Sequence, residues 1–108
     1  MRLLTLPNYS CHIYLSGPID VAKQILREEC LREGLCVTVE PTTYIYTGGE
    51  EQGYVVGLVN YPRFPKSPGE IKERAMRIAT DLLLKTHQLS ALVVDPMESS
   101  WVSRRTEE

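Results

Sequence analysis

The sequence predicts an α+β domain in the order β-α-β-β-α-β: a four-stranded antiparallel sheet with both helices on one face. Three observations predict it. Residues 11–16 alternate apolar and polar with the period of a half-buried strand. Residues 19–33 and 68–86 carry apolar side chains at helical spacing. The run Tyr54-Val55-Val56-Gly57-Leu58-Val59 is too continuously apolar for a strand with one wet face, which places it inside the sheet.

Each element has its own local grounds. Residues 1–10 hold Leu3, Leu4 and Leu6 before the turn signal Pro7-Asn8, and read as a packed arm or short edge strand. In Cys11-His12-Ile13-Tyr14-Leu15-Ser16 the odd positions are apolar, and Gly17-Pro18 ends the strand and opens a helix. That helix, 19–33, presents Ala22, Ile25, Leu26 and Cys30 as one stripe, pairs Glu28 with Arg32, and closes on Gly34. Residues 35–46 are rich in β-formers. Pro41 has no donor for a ladder, so this strand belongs on an edge. Thr47–Gln52 turns into the apolar strand from Gly53 to about Tyr61.

Ser67-Pro68-Gly69-Glu70 is a capping box with proline at the first helical position. The second helix buries Ile71, Ala75, Ile78 and Leu82, widened by Met76, Ala79 and Leu83. Its outer pairs are Glu70–Arg74, Glu73–Arg77 and Asp81–Lys85. Leu89–Asp95 is a short apolar strand, Ser100–Arg104 around Trp101 an additional edge strand, and residues 105–108 a frayed tail. The order, with right-handed crossovers, gives the ferredoxin-like arrangement. Its central strands carry Ile13 and Val55, and the Pro41 strand lies at an edge.

Composition bounds the function. The 108 residues make one domain of 43% hydrophobic and 24% charged residues. Twelve basic and fourteen acidic residues give a net charge of -2, without the basic field that holds a nucleic-acid backbone. Cys11, Cys30 and Cys36 are odd in number and lack zinc spacing, which points to a reducing cytoplasm and no structural metal. No segment has the roughly 20 apolar residues that cross a membrane. No cofactor is implied. His12 and His87 lack partners at metal-ligand spacing, and no convergent acid, base and nucleophile set marks an enzyme.

The candidate site is the sheet face turned away from the helices. With Ile13, Leu15, Val55 and Val59 assigned to the core, His12, Tyr14, Ser16, Tyr54, Val56, Leu58 and Asn60 face outward. That patch is apolar enough to be covered by a second copy of the chain or by a ligand, and dimerisation is the favoured reading. Beside it, Tyr61, Arg63, Phe64 and Lys66 form a cationic–aromatic loop suited to an anionic partner.

Three resemblances bear on this face. Ile13-Tyr14-Leu15-Ser16-Gly17-Pro18-Ile19 and Gly53-Tyr54-Val55-Val56 resemble the paired strands of an RNA-recognition motif, which implies Tyr14 and Tyr54 as base-stacking residues. Gln52 stands where that family has a basic residue, and Val56 where it has an aromatic. The Arg32-Glu33-Gly34-Leu35 turn is similar to that of acylphosphatases, which implies a small phosphate-ester or acyl-phosphate hydrolase. Gly17-Pro18-Ile19-Asp20 departs from that family's phosphate loop and lacks its arginine. The stretches GLVNYPRFP and YIYTGG resemble small proteins of bacteriophages and prophages, which implies an accessory role on a host component.

The sequence reading is therefore a non-catalytic binding module, a homodimer acting on an unknown protein or small ligand through its open sheet face. Single-stranded RNA or nucleotide binding is the second reading, and hydrolysis the third.

Overall fold

The computed structural model describes residues 1–106. Five strands and two helices follow in the order β1 (Ser10–Ser16), α1 (Ile19–Glu33), β2 (Thr38–Tyr46), β3 (Gly49–Val59), α2 (Pro68–Lys85), β4 (Ser90–Val94) and β5 (Ser99–Ser103). The sheet is antiparallel throughout and runs β2-β3-β1-β4-β5. β1 and β3 are interior, and the Pro41 strand is an edge, as the sequence predicts. The sheet has five strands rather than four, because Ser99–Ser103 pairs fully along β4. No strand forms before Ser10. The expected frayed tail falls partly on Glu107 and Glu108, outside the described residues.

Local chemistry sets the helix ends. The Ser67 hydroxyl accepts from the Glu70 N–H at 3.2 Å, while the Ser67 N–H donates to the Glu70 carboxylate at 3.3 Å. Gly34 closes α1 in the left-handed region at φ 63°, its N–H reaching the Cys30 carbonyl at 2.9 Å.

One core lies between the helices and one sheet face. It joins Cys11, Ile13 and Leu15 of β1, Tyr54, Val56 and Leu58 of β3, and Ala91 and Val93 of β4 to Ala22, Ile25 and Leu26 of α1. From α2 come Ile71, Ala75, Ile78, Ala79, Leu82 and Leu83. Glu29, 4% exposed, takes a place in the α1 stripe and accepts from Arg32 at 2.5 Å. The Asp81 carboxylate across the helix contact, then burial, push the Glu29 carboxyl upward.

Two of the four expected i, i+4 pairs give way to other partners. Arg32 turns to Glu29, and Arg77 joins α2 to Glu33 of α1. Lys72 of α2 reaches Asp95, whose other oxygen accepts the Met97 and Glu98 N–H groups at 2.7 and 2.9 Å. That contact ties α2 to the turn between β4 and β5.

Candidate functional site: an aromatic cleft on the open sheet face

Residues directly opposite one another on antiparallel strands share a face, so the register maps the open surface. One cross-strand row runs Glu40, Val55, Tyr14, Leu92, Trp101. The neighbouring row runs Thr42, Gly53, Ser16, and beyond it Tyr44 faces Glu51 on the β2–β3 hairpin. Where these rows meet, the sheet carries a cleft of about 280 Å³ lined by Tyr14, Ser16, Tyr44, Tyr46, Glu51 and Trp101, with Arg105 at its side.

The aromatic wall is held in place. Tyr44 donates its hydroxyl toward the Tyr54 carbonyl at 2.8 Å and the Leu15 carbonyl at 3.3 Å. To do so its ring crosses the β3 position of Gly53, where a Cβ would lie 2.5 Å from the ring and 2.4 Å from the Leu15 oxygen. Only glycine leaves that space. At the hairpin end, the Tyr46 hydroxyl donates to Glu51 at 3.1 Å. The Ser16 hydroxyl, then Tyr46, hold the Glu51 carboxyl below its ordinary range, so it is a carboxylate at neutral pH. Trp101 is 55% exposed and offers a large flat apolar surface. The cleft therefore combines one ionised carboxylate, with the Arg105 cation beside it, and the faces of several aromatic rings. That combination attracts an organic cation and an aromatic group carried on one molecule.

The residues expected from the sequence divide into three groups. His12 and Tyr14 lie on the open face, and Tyr14 lines the cleft. Tyr54, Val56 and Leu58 do not. They stand opposite Leu15, Ile13 and Cys11 and are buried with them, Tyr54 and Val56 completely. Val55 and Val59 take the outward positions instead, Val59 at 39% exposure. In a run where both alternating sets are apolar, periodicity carries no phase, and the pairing with β1 decides it.

With Tyr54 in the core, the two-tyrosine base-stacking platform does not exist. Asn60, Tyr61, Arg63 and Lys66 belong to a loop at the other end of β1, roughly 20 Å away by strand rise. There Asn60 donates to the Pro7 carbonyl and accepts from the Lys66 N–H, and the Tyr61 and Phe64 rings sit 5.3 Å apart. These bonds organise the loop, and Arg63 is exposed.

Tyr44, Tyr46, Glu51, Trp101 and Arg105 escaped the sequence reading. Thr47-Gly48-Gly49-Glu50-Glu51 reads as a hairpin turn with repelling charges, and nothing local says that Glu51 folds back over Ser16.

No protein-family model and no curated protein matches the chain. Two solved structures share its fold. One, a phage SAM lyase in the apo state, aligns with a TM-score of 0.68 over 93% of this chain and 92% of its own, at 15% identity. The other, a phage SAM lyase in complex with S-methyl-5′-thioadenosine, aligns with a TM-score of 0.66 over 100% and 98%, at 14% identity. The shared feature is the fold. Both neighbours carry an enzyme's name, and one holds a small ligand, which overturns the expectation of a non-catalytic module.

Proposed function

We propose that this chain is a SAM lyase that cleaves S-adenosylmethionine in the open-face cleft and releases S-methyl-5′-thioadenosine. The observation that carries the reading is the ionised Glu51 carboxylate set among Tyr14, Tyr44, Tyr46 and Trp101, on a fold matched end to end by phage SAM lyases. The substrate presents a sulfonium cation, a purine and an amino-acid carboxylate. Glu51 and the tyrosine faces suit the sulfonium, Trp101 suits the purine, and Arg105 carries the charge to meet the carboxylate.

S-methyl-5′-thioadenosine keeps the methyl and adenosyl groups of the substrate. The bond that breaks is therefore the one from sulfur to the amino-acid arm, and its electron pair returns to sulfur. A lyase uses no water. The carbon left behind is satisfied within the departing arm, by closure of its own carboxylate or by loss of a neighbouring proton. The protein's part is to orient the arm and exclude water. Neutralisation of sulfur removes the charge that Glu51 attracts, which favours release of the product.

A ferredoxin-like core, β4-β1-β3-β2 with two helices, extended by β5, is the architecture we assign. Phage kinship and the expected homo-oligomer belong to the same proposal. The cleft is small and open beside the ~300–1,000 Å³ of ordinary ligand sites, and a second copy over the face would enclose it.

Incubation of the purified protein with S-adenosylmethionine in ¹⁸O-labelled water tests the reading. S-methyl-5′-thioadenosine should accumulate, with no label on the carbon of the companion product that was bonded to sulfur. Label on that carbon identifies a hydrolase instead. An unchanged substrate together with no calorimetric binding of S-methyl-5′-thioadenosine overturns the assignment.

A further inference from the structure

Opposite charges stand on either side of the cleft. Glu51 comes from the β2–β3 hairpin, where the Tyr46 hydroxyl donates to it at 3.1 Å. Arg105 comes from the chain just past β5. Its backbone is fixed there: the Arg105 N–H donates to the Ser103 hydroxyl at 3.0 Å, and the Arg104 N–H to the Leu89 carbonyl at 2.7 Å. β3 and β5 are three strand spacings apart, about 14 Å, and both long side chains line the space between. The Arg105 charge reaches Glu51, whose carboxyl it helps to lower.

A carboxylate and a guanidinium on one cleft sum to no net charge. A ligand that is only cationic is drawn to Glu51 and repelled by Arg105. Both groups are exposed, so little net attraction survives. A ligand that carries a cation and an anion at matching separation gains at both sides. In S-adenosylmethionine the sulfonium and the carboxylate are three carbons apart, in the order that Glu51 and Arg105 require. Removal of the carboxylate leaves a purely cationic molecule facing Arg105, and repulsion of the wrong ligand is itself a source of specificity.

We propose that Glu51 and Arg105 act as a pair that selects adenosyl sulfoniums bearing a carboxylate, with Arg105 rejecting those that lack it. The inference rests on the reading of the cleft as an S-adenosylmethionine site and narrows its substrate class. Trp101 and the tyrosine faces meet what all adenosyl sulfoniums share, and the charge pair tells them apart. Arg105 is therefore a specificity-determining residue as well as a partner for the carboxylate.

Binding of S-adenosylmethionine and of its decarboxylated analogue at low ionic strength tests the pair. Trp101 is the one tryptophan of the chain, so its fluorescence on rapid mixing reads binding before turnover. The unmodified protein should bind the decarboxylated compound roughly tenfold more weakly, the loss of one charge-assisted contact. Arg105→Met should weaken S-adenosylmethionine and strengthen the decarboxylated compound, bringing the two affinities together. That crossing of signs separates a charge role from a structural one, because a damaged cleft weakens both ligands. Arg105→Lys, which keeps the charge, should restore the preference, and Glu51→Gln should weaken both ligands. Equal affinity of the unmodified protein for the two compounds overturns the proposal, and so does an Arg105→Met variant that weakens both or neither. Each of those results leaves the S-adenosylmethionine site standing. No binding of S-adenosylmethionine by the unmodified protein, by fluorescence and by calorimetry, overturns the functional reading and the proposal with it.

Discussion

Tyr44 lies across Gly53, its hydroxyl bonded to the carbonyls on either side of the β1–β3 ladder, at Leu15 and Tyr54. One strand position without a side chain thus shapes the aromatic wall of the cleft. In Gly53→Ala the new methyl meets backbone 2.4 Å away, which rotation of the Tyr44 ring cannot relieve. Destabilisation of about 1–3 kcal/mol is expected. Tyr44→Phe should cost only ~1 kcal/mol, the worth of a hydrogen bond. Denaturant unfolding of both variants checks the ranking, and equal losses would contradict the backbone clash.

The charge of Glu51 gives the site its pH dependence. Its carboxyl is held below the ordinary value of 4.5 by Ser16 and Tyr46, so it stays ionised on either side of neutral pH and protonates only below that value. Binding of S-adenosylmethionine should be insensitive to this group from pH 8 down to about 5, then weaken on further acidification. Glu51→Gln should weaken binding at least roughly tenfold and remove the acid limb, while Tyr46→Phe should shift that limb upward. Calorimetric titration across pH reads all three.

Lys72 and Asp95 anchor α2 to the β4–β5 turn, with the Asp95 side chain 4% and the Lys72 side chain 22% exposed. The Lys72 ammonium, then the Met97 and Glu98 N–H groups, lower the Asp95 carboxyl below its ordinary 3.8. A carboxyl depressed on folding adds stability above its unfolded value, and that stability is lost as pH falls through the folded value. Lys72→Met should therefore lower stability at pH 7, by less than the loss of a fully buried pair because Lys72 is partly wet. The loss should shrink as the pH falls below 3.8 and through the lowered folded value, where the carboxyl protonates in wild type as well as in the variant. Urea unfolding at pH 7 and pH 2.5 measures the difference.

Tyr54 is wholly buried, and its hydroxyl makes no close hydrogen bond among the described residues, with the Thr86 side chain as a weak polar neighbour. Burial pushes its pKa up to about 12. Tyr54→Phe should leave stability unchanged or raise it by up to ~1 kcal/mol, because an unsatisfied polar atom leaves the core. Tyr54→Ala should cost ~3–5 kcal/mol through the cavity it opens. Thermal melts of the pair distinguish this from a surface tyrosine, for which both changes would be nearly silent.

How much was legible differs from residue to residue. The capping box at Ser67, the cap at Gly34, both helix stripes and the edge position of the Pro41 strand follow from local chemistry, and the structure bears them out. His12 and Tyr14 face outward, as the alternation of apolar and polar types in β1 predicts. β3 has no such contrast. Its two faces are Tyr-Val-Leu and Val-Gly-Val, so valines were assigned to the core that the fold gives to Tyr54, Val56 and Leu58. The cleft itself draws on all five strands and the chain beyond β5, and no linear motif records such a meeting.

Element type and order lie in the amino-acid sequence alone, because helix and strand periods, caps and proline exclusions act over a few neighbouring residues. The face each β3 side chain takes, the fifth strand's full pairing, and the convergence of Tyr14, Tyr44, Glu51 and Trp101 were decided only by the tertiary structure. Register is the physical reason. A shift of one residue between β1 and β3 reverses every side chain on the strand, and only the packed sheet selects between the two arrangements.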